Sequence, residues 1–117
     1  MAKLTAHFSP LENETLLATV EVGDVRFRTD AGKARQTAYD GTAYLFVTDQ
    51  RVLIRGKTGL FKVREKTIPV GSITQVGEYK AGVDQRVLIY HVHGRVQLLV
   101  HGSQEALIAS VRQAMFV

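Results

Sequence analysis

Between Arg51 and Lys66 the chain carries six bases, Arg51, Arg55, Lys57, Lys62, Arg64 and Lys66, against one acid, Glu65. The net charge of the 117 residues is +4, with 15 bases and 11 acids in all. The other segments therefore hold nine bases and ten acids, and the excess positive charge sits in this strip. Clustered guanidinium and ammonium groups recognise phosphate and anionic lipid through charge-assisted hydrogen bonds and local potential. Lys33 and Arg35, in a polar stretch upstream, would reinforce such a site. A second reading stays open. The same residues could be the solvated side chains of a hairpin, where lysine and arginine keep an exposed strand from pairing with other chains.

Other chemistry has less support. Gly56-Lys57-Thr58 looks like the end of a phosphate-binding loop. The required first glycine is replaced by Arg51, and a strand follows where the motif needs a helix. His91, His93 and His101 suggest a metal site. If His93-Gly94 is a two-residue hairpin loop, Val92 pairs with Arg95, His91 with Val96 and Arg86 with His101. His91 and His101 then lie on opposite faces about five residues apart, roughly 16 Å, too far to share an ion. His91 is expected near the mouth of the β-structure with a polar partner. No serine sits in a nucleophile elbow, and no pair of carboxylates is placed for acid–base work. The chain has no cysteine, hence no thiolate nucleophile and no disulfide framework. No catalytic residue, metal or cofactor is expected, and no small-molecule substrate.

The elements that position these residues follow from periodicity and punctuation. Ser9-Pro10-Leu11-Glu12 carries a helix-start signature, a capping serine, a proline at the first helical position and a glutamate completing the box. Thr15–Val22 and Val25–Arg28 read as two strands around a turn at Gly23-Asp24. Residues 29–42 are polar and interrupted by Gly32 and Gly41, which reads as a loop. Ala43–Val47 and Arg51–Arg55 are apolar runs separated by Thr48-Asp49-Gln50, whose side chains can accept backbone hydrogen bonds and stabilise a reversal. Gly56-Lys57-Thr58-Gly59 is a further turn. Strands are expected at Phe61–Ile68, Ser72–Tyr79, Gln85–His91 and Arg95–His101, with breaks at Pro69-Val70-Gly71 and residues 81–84. Turn signals about every ten residues indicate an all-β barrel or sandwich. Gly102-Ser103-Gln104-Glu105 then starts a helix whose Leu107, Ile108, Val111 and Met115 form one apolar stripe. That helix should lie across an open end of the β-structure.

In the last hairpin, Val87, Ile89, His91, Val96, Leu98 and Val100 share the core face. Leu88, Tyr90, Val92 and Leu99 share the opposite face with Arg86, Arg95, Gln97 and His101. An apolar stripe rimmed by polar residues suggests a contact with a protein partner or a second copy. Coverage by another segment of the chain is the alternative.

Leu45-Phe46-Val47-Thr48-Asp49-Gln50-Arg51-Val52-Leu53-Ile54 resembles the "apolar run, T-[DN]-x-R, apolar run" hallmark of bacterial PH-like domains, the YokE-like and GRAM-related group. Thr67 to Val76 resembles their "IP-x-x-x-I-x-x-V" segment. Glu14 with its following strand, and the single terminal helix, also match. The resemblance covers about residues 9–116, and the stretch 29–42 has no counterpart in it. It implies two bent antiparallel sheets of about seven strands, closed at one end by the helix, in a binding scaffold with no catalytic residues.

One domain spanning residues 1–117 is expected, mainly β with a C-terminal α-helix. MAKLTAHFSPLENE has no sustained apolar run, so no secretion signal is expected. The expected location is cytoplasmic, at a membrane surface if the strip binds lipid. The expected work is binding, to an anionic head group or a protein, with self-association as part of it. The alternatives are nucleic-acid binding or a purely structural, oligomeric assembly role. Tyr44, Phe46 and Phe61 lie near the strip, but their alternation points them inward, away from where bases would stack.

Overall fold

The computed structural model describes residues 4–29, 38–59, 62–81 and 84–116. Their seven strands form one antiparallel sheet: β1 (Leu16–Thr29), β2 (Asp40–Thr48), β3 (Arg51–Lys57), β4 (Val63–Pro69), β5 (Ile73–Ala81), β6 (Asp84–His91) and β7 (Gly94–Val100). The spatial order is β4-β3-β2-β1-β7-β6-β5, which leaves β4 and β5 as edges. The sheet is one and is not closed, where two bent sheets were expected.

Strand β1 explains this unity. Its first half pairs with β2 from Leu16↔Thr48 to Val22↔Ala43. Its second half pairs with β7 from Val22↔Val100 to Thr29↔Gly94, with a register shift between Gly23 and Arg26. The expected reversal at Gly23-Asp24 is therefore a bulge inside a single 14-residue strand. Asp24 has a φ of 46°, in the left-handed region that a turn also requires. A bulge and a turn thus draw on the same residue types. Ion pairs to Arg26 Nε at 3.0 Å and to Arg86 at 2.6 Å hold Asp24 there.

The β2–β3 hairpin reverses at Asp49-Gln50 as expected, with Val47 opposite Val52 and Phe46 opposite Leu53. Strand β3 continues through Gly56 and Lys57, so the chain leaves the strand only at Thr58, not at Gly56 as expected. Gly59 has a φ of 81° and donates to Asp40 Oδ2 at 2.7 Å. The β6–β7 register also differs from expectation. His91 pairs with Gly94 and Ile89 with Val96, so the loop is Val92-His93. Gly94, with a φ of 146°, resumes the strand directly after the loop. The pairing sum changes by an even number, so every side chain keeps its expected face.

The core lies between the inner face of the sheet and helix α1 (Gln104–Met115). Leu45, Val47, Val52, Ile54 and Ile68 face Val76, Val87, Ile89, Val96 and Leu98 within it. Leu107, Ile108, Val111 and Ala114 insert from the helix. Met115, the last residue of the expected stripe, is half-buried and packs against this core. Ser103 caps the helix by accepting the Ala106 N–H at 3.1 Å.

No helix forms at Ser9-Pro10. Residues 4–15 instead reach the outer face of β2 and β3, where Phe46 and Leu53 are buried outside the main core. The Phe8 ring packs on Phe46 with 5.2 Å between centroids. Phe46 does not point into the main core, as alternation had suggested.

Candidate functional site

The β3–β4 register sets where each base of the strip goes. Arg55 pairs with Glu65 and Ile54 with Lys66. Arg51, Leu53, Arg55 and Lys57 therefore share the outer face, while Arg64 and Lys66 stand with Ile54 and Ile68 on the inner face. A run contiguous in sequence is divided between two surfaces.

Arg51 and Arg55 are engaged in holding the fold. Arg51 Nε lies 2.8 Å from Glu14 Oε2, and its Nη2 lies 3.2 Å from Oε1. The Glu14 side chain is inaccessible to solvent. It also accepts the Leu11 N–H at 2.8 Å and the Thr48 hydroxyl at 2.8 Å. Burial alone would raise this carboxyl. The bonds from Arg51, Leu11 and Thr48 outweigh burial and hold it below its ordinary value of 4.5. Thr48 in turn accepts the N–H groups of Gln50 and Arg51, at 3.1 and 2.9 Å. Asp49 accepts the Thr15 N–H at 3.0 Å. Thr48-Asp49-Gln50-Arg51 is thus a turn and also the anchor of the N-terminal segment. Arg55 pairs with Glu65 at 2.6 Å, stacks 4.9 Å over the Phe46 ring, and donates to the carbonyls of Thr5 and His7.

Lys62, Arg64 and Lys66 are exposed and Lys57 is half-buried. None of the four forms an ion pair with an acid among the described residues. The Lys66 ammonium sits 5.5 Å from the Phe27 ring centroid. Phe27 meets Tyr39 edge-on at 6.2 Å. Tyr39 lies against Gly56, where a Cβ would come within 2.3 Å of the ring. Burial, with the Glu65 charge adding to it, pushes the Tyr39 phenol up to about 12. Its hydroxyl donates to the Ile54 carbonyl at 3.3 Å. Lys33, Arg35 and Phe61 lie outside the described residues.

The apolar stripe of the last hairpin is mostly covered. Leu88 is buried, Tyr90 and Leu99 are half-buried, and Val92 is 53% exposed. Arg86 on the same face is buried and paired with Asp24. His91 is half-buried, with Nδ1 accepting the His93 N–H at 3.2 Å.

Sequence reading missed the pairing of Glu14 with Arg51 and the packing of Phe8 and Tyr39. The first had a signal, an acid 37 residues from the arginine of the hairpin motif. The aromatic contacts had none. A scan of protein-family models finds no match to this chain, and no curated protein is significantly similar to it in sequence.

Proposed function

We propose that this chain is a non-enzymatic, PH-like binding module that docks on an anionic surface through Lys62, Arg64 and Lys66, with Lys57 on the opposite face left out of the contact. One observation carries the reading. Lys62, Arg64 and Lys66 are exposed at an edge of the sheet without acidic partners among the described residues, whereas Arg51 and Arg55 are paired with Glu14 and Glu65. The resemblance of the hairpin motif to PH-like domains supports it. Each base at an anionic lipid surface contributes about 1 kcal/mol, so three acting together give roughly a hundredfold preference for that surface. Attachment in this reading is peripheral, through side-chain charge; no helix among the described residues is long and apolar enough to cross a membrane. Assembly through Tyr90, Val92 and Leu99 would rest mainly on Val92, and the anionic surface is the better-supported partner.

Sedimentation with anionic vesicles at low salt tests the reading. Lys62→Glu combined with Arg64→Glu should leave the protein in the supernatant. Unchanged sedimentation of that variant would exclude this mode of binding and leave the bases as solubilising side chains of an edge strand.

A further inference from the structure

A cleft of about 200 Å³ opens between β4 and the β6–β7 turn, lined by Lys66, Ile68, Pro69, Ser72, His91 and His93, with Thr67 at its wall. Among the described residues that line it there is one ammonium and two imidazoles, and no carboxylate. The volume is below that of pockets for drug-sized molecules, which suits one small group.

The walls are fixed by bonds independent of any ligand. The Val92 N–H donates to the Ser72 carbonyl at 3.0 Å, tying the β6–β7 turn to the 3-10 turn Val70–Ser72. Ser72 Oγ donates to the Pro69 carbonyl at 2.7 Å. His91 Nδ1 accepts the His93 N–H, which sets the backbone that carries the His93 ring. The Phe27 ring holds the Lys66 ammonium by its quadrupole. That contact orients the charge without cancelling it, as a carboxylate would.

We infer that this cleft is a binding site for a phosphate monoester, with Lys66 and His93 as its donors and His91 as a positioning residue. The inference rests on the anion-binding reading above and adds a specific group to a general electrostatic attraction. Lipid head groups and free phosphate compounds share this chemistry, and the two sources are separable by experiment.

The direct probe is inorganic phosphate, titrated into the full chain at constant ionic strength. The readout is the imidazole resonances of His91 and His93 with the backbone amides of residues 66–72 and 91–94. Saturable shifts confined to these groups are expected, and Lys66→Gln or His93→Ala should weaken binding about tenfold. In a second arm, vesicles of phosphatidylcholine with phosphatidate are compared with charge-matched vesicles containing phosphatidylglycerol. Preference for phosphatidate, lost in His93→Ala, identifies a lipid monoester. Equal binding with a saturable phosphate titration identifies a soluble phosphate compound. Absence of saturable shifts, or equal shifts in both variants and the parent, would overturn the inference. Failure of the general reading would look different: vesicle binding insensitive to Lys62→Glu with Arg64→Glu.

Discussion

Glu14 meets Arg51 through both carboxylate oxygens, while the Leu11 N–H and the Thr48 hydroxyl occupy its remaining lone pairs. Removing the arginine would leave a carboxylate shut away from water. Arg51→Met should therefore cost about 3 kcal/mol, the low end for a broken buried pair, since Arg51 keeps some exposure. Urea denaturation at neutral pH measures this. The same site predicts a pH dependence. The Glu14 carboxyl titrates lower in the folded chain than in the unfolded one. Its contribution is present above 4.5 and is lost as pH falls through the lower folded value. Glu14→Gln should lack that component of acid destabilisation, and an unaltered acid limb in this variant would contradict the assignment. Gly56 makes a second residue-scale case. A methyl at this position would lie 2.3 to 2.7 Å from Tyr39 atoms. Gly56→Ala should cost about 2 kcal/mol by overpacking. Adding Tyr39→Ala to it should give a loss smaller than the sum of the two single changes.

At the scale of elements, local signals were legible where tertiary contacts agreed with them. The Ser103 cap and the stripe through Leu107, Ile108 and Val111 read correctly because the helix lies on the core those residues fill. Leu107→Ala should cost about 3 kcal/mol by leaving a cavity under the helix, measured by thermal or urea unfolding. Thr48-Asp49-Gln50 read correctly because its side chains satisfy the hairpin backbone. Ser9-Pro10-Leu11-Glu12 misled. A helix of a turn or two is marginal in isolation, and the extended path offers more. It lets Arg55 bind the Thr5 and His7 carbonyls, Phe8 stack on Phe46, and Glu14 reach the Leu11 N–H. Gly23-Asp24 misled because positive φ serves a bulge as well as a turn. The strip from Arg51 to Lys66 was legible as charge but not as a surface. Strand periodicity sends neighbouring bases to opposite faces, and only the pairing partners reveal which are already neutralised.

At the scale of the molecule, the sheet is continuous from β4 to β5 and open between them, with α1 against the core. Edge strand β4 brings Arg64 and Lys66 to that opening, and Lys62 immediately precedes it. An open edge carrying lysine and arginine resists pairing with another sheet, and the same charges are available to an anionic partner. The bases therefore fall into two sets with separate readouts. Changes at Arg51 or Arg55 should lower stability, whereas neutralising Lys62, Arg64 and Lys66 should leave the urea midpoint close to that of the parent. The most direct measurement is flotation of the Lys62→Gln, Arg64→Gln, Lys66→Gln variant with anionic vesicles across a salt series. The parent should float at low salt and be released as salt rises, while the folded triple variant should stay behind at every salt concentration. A triple variant that floats as the parent does would contradict the proposed docking.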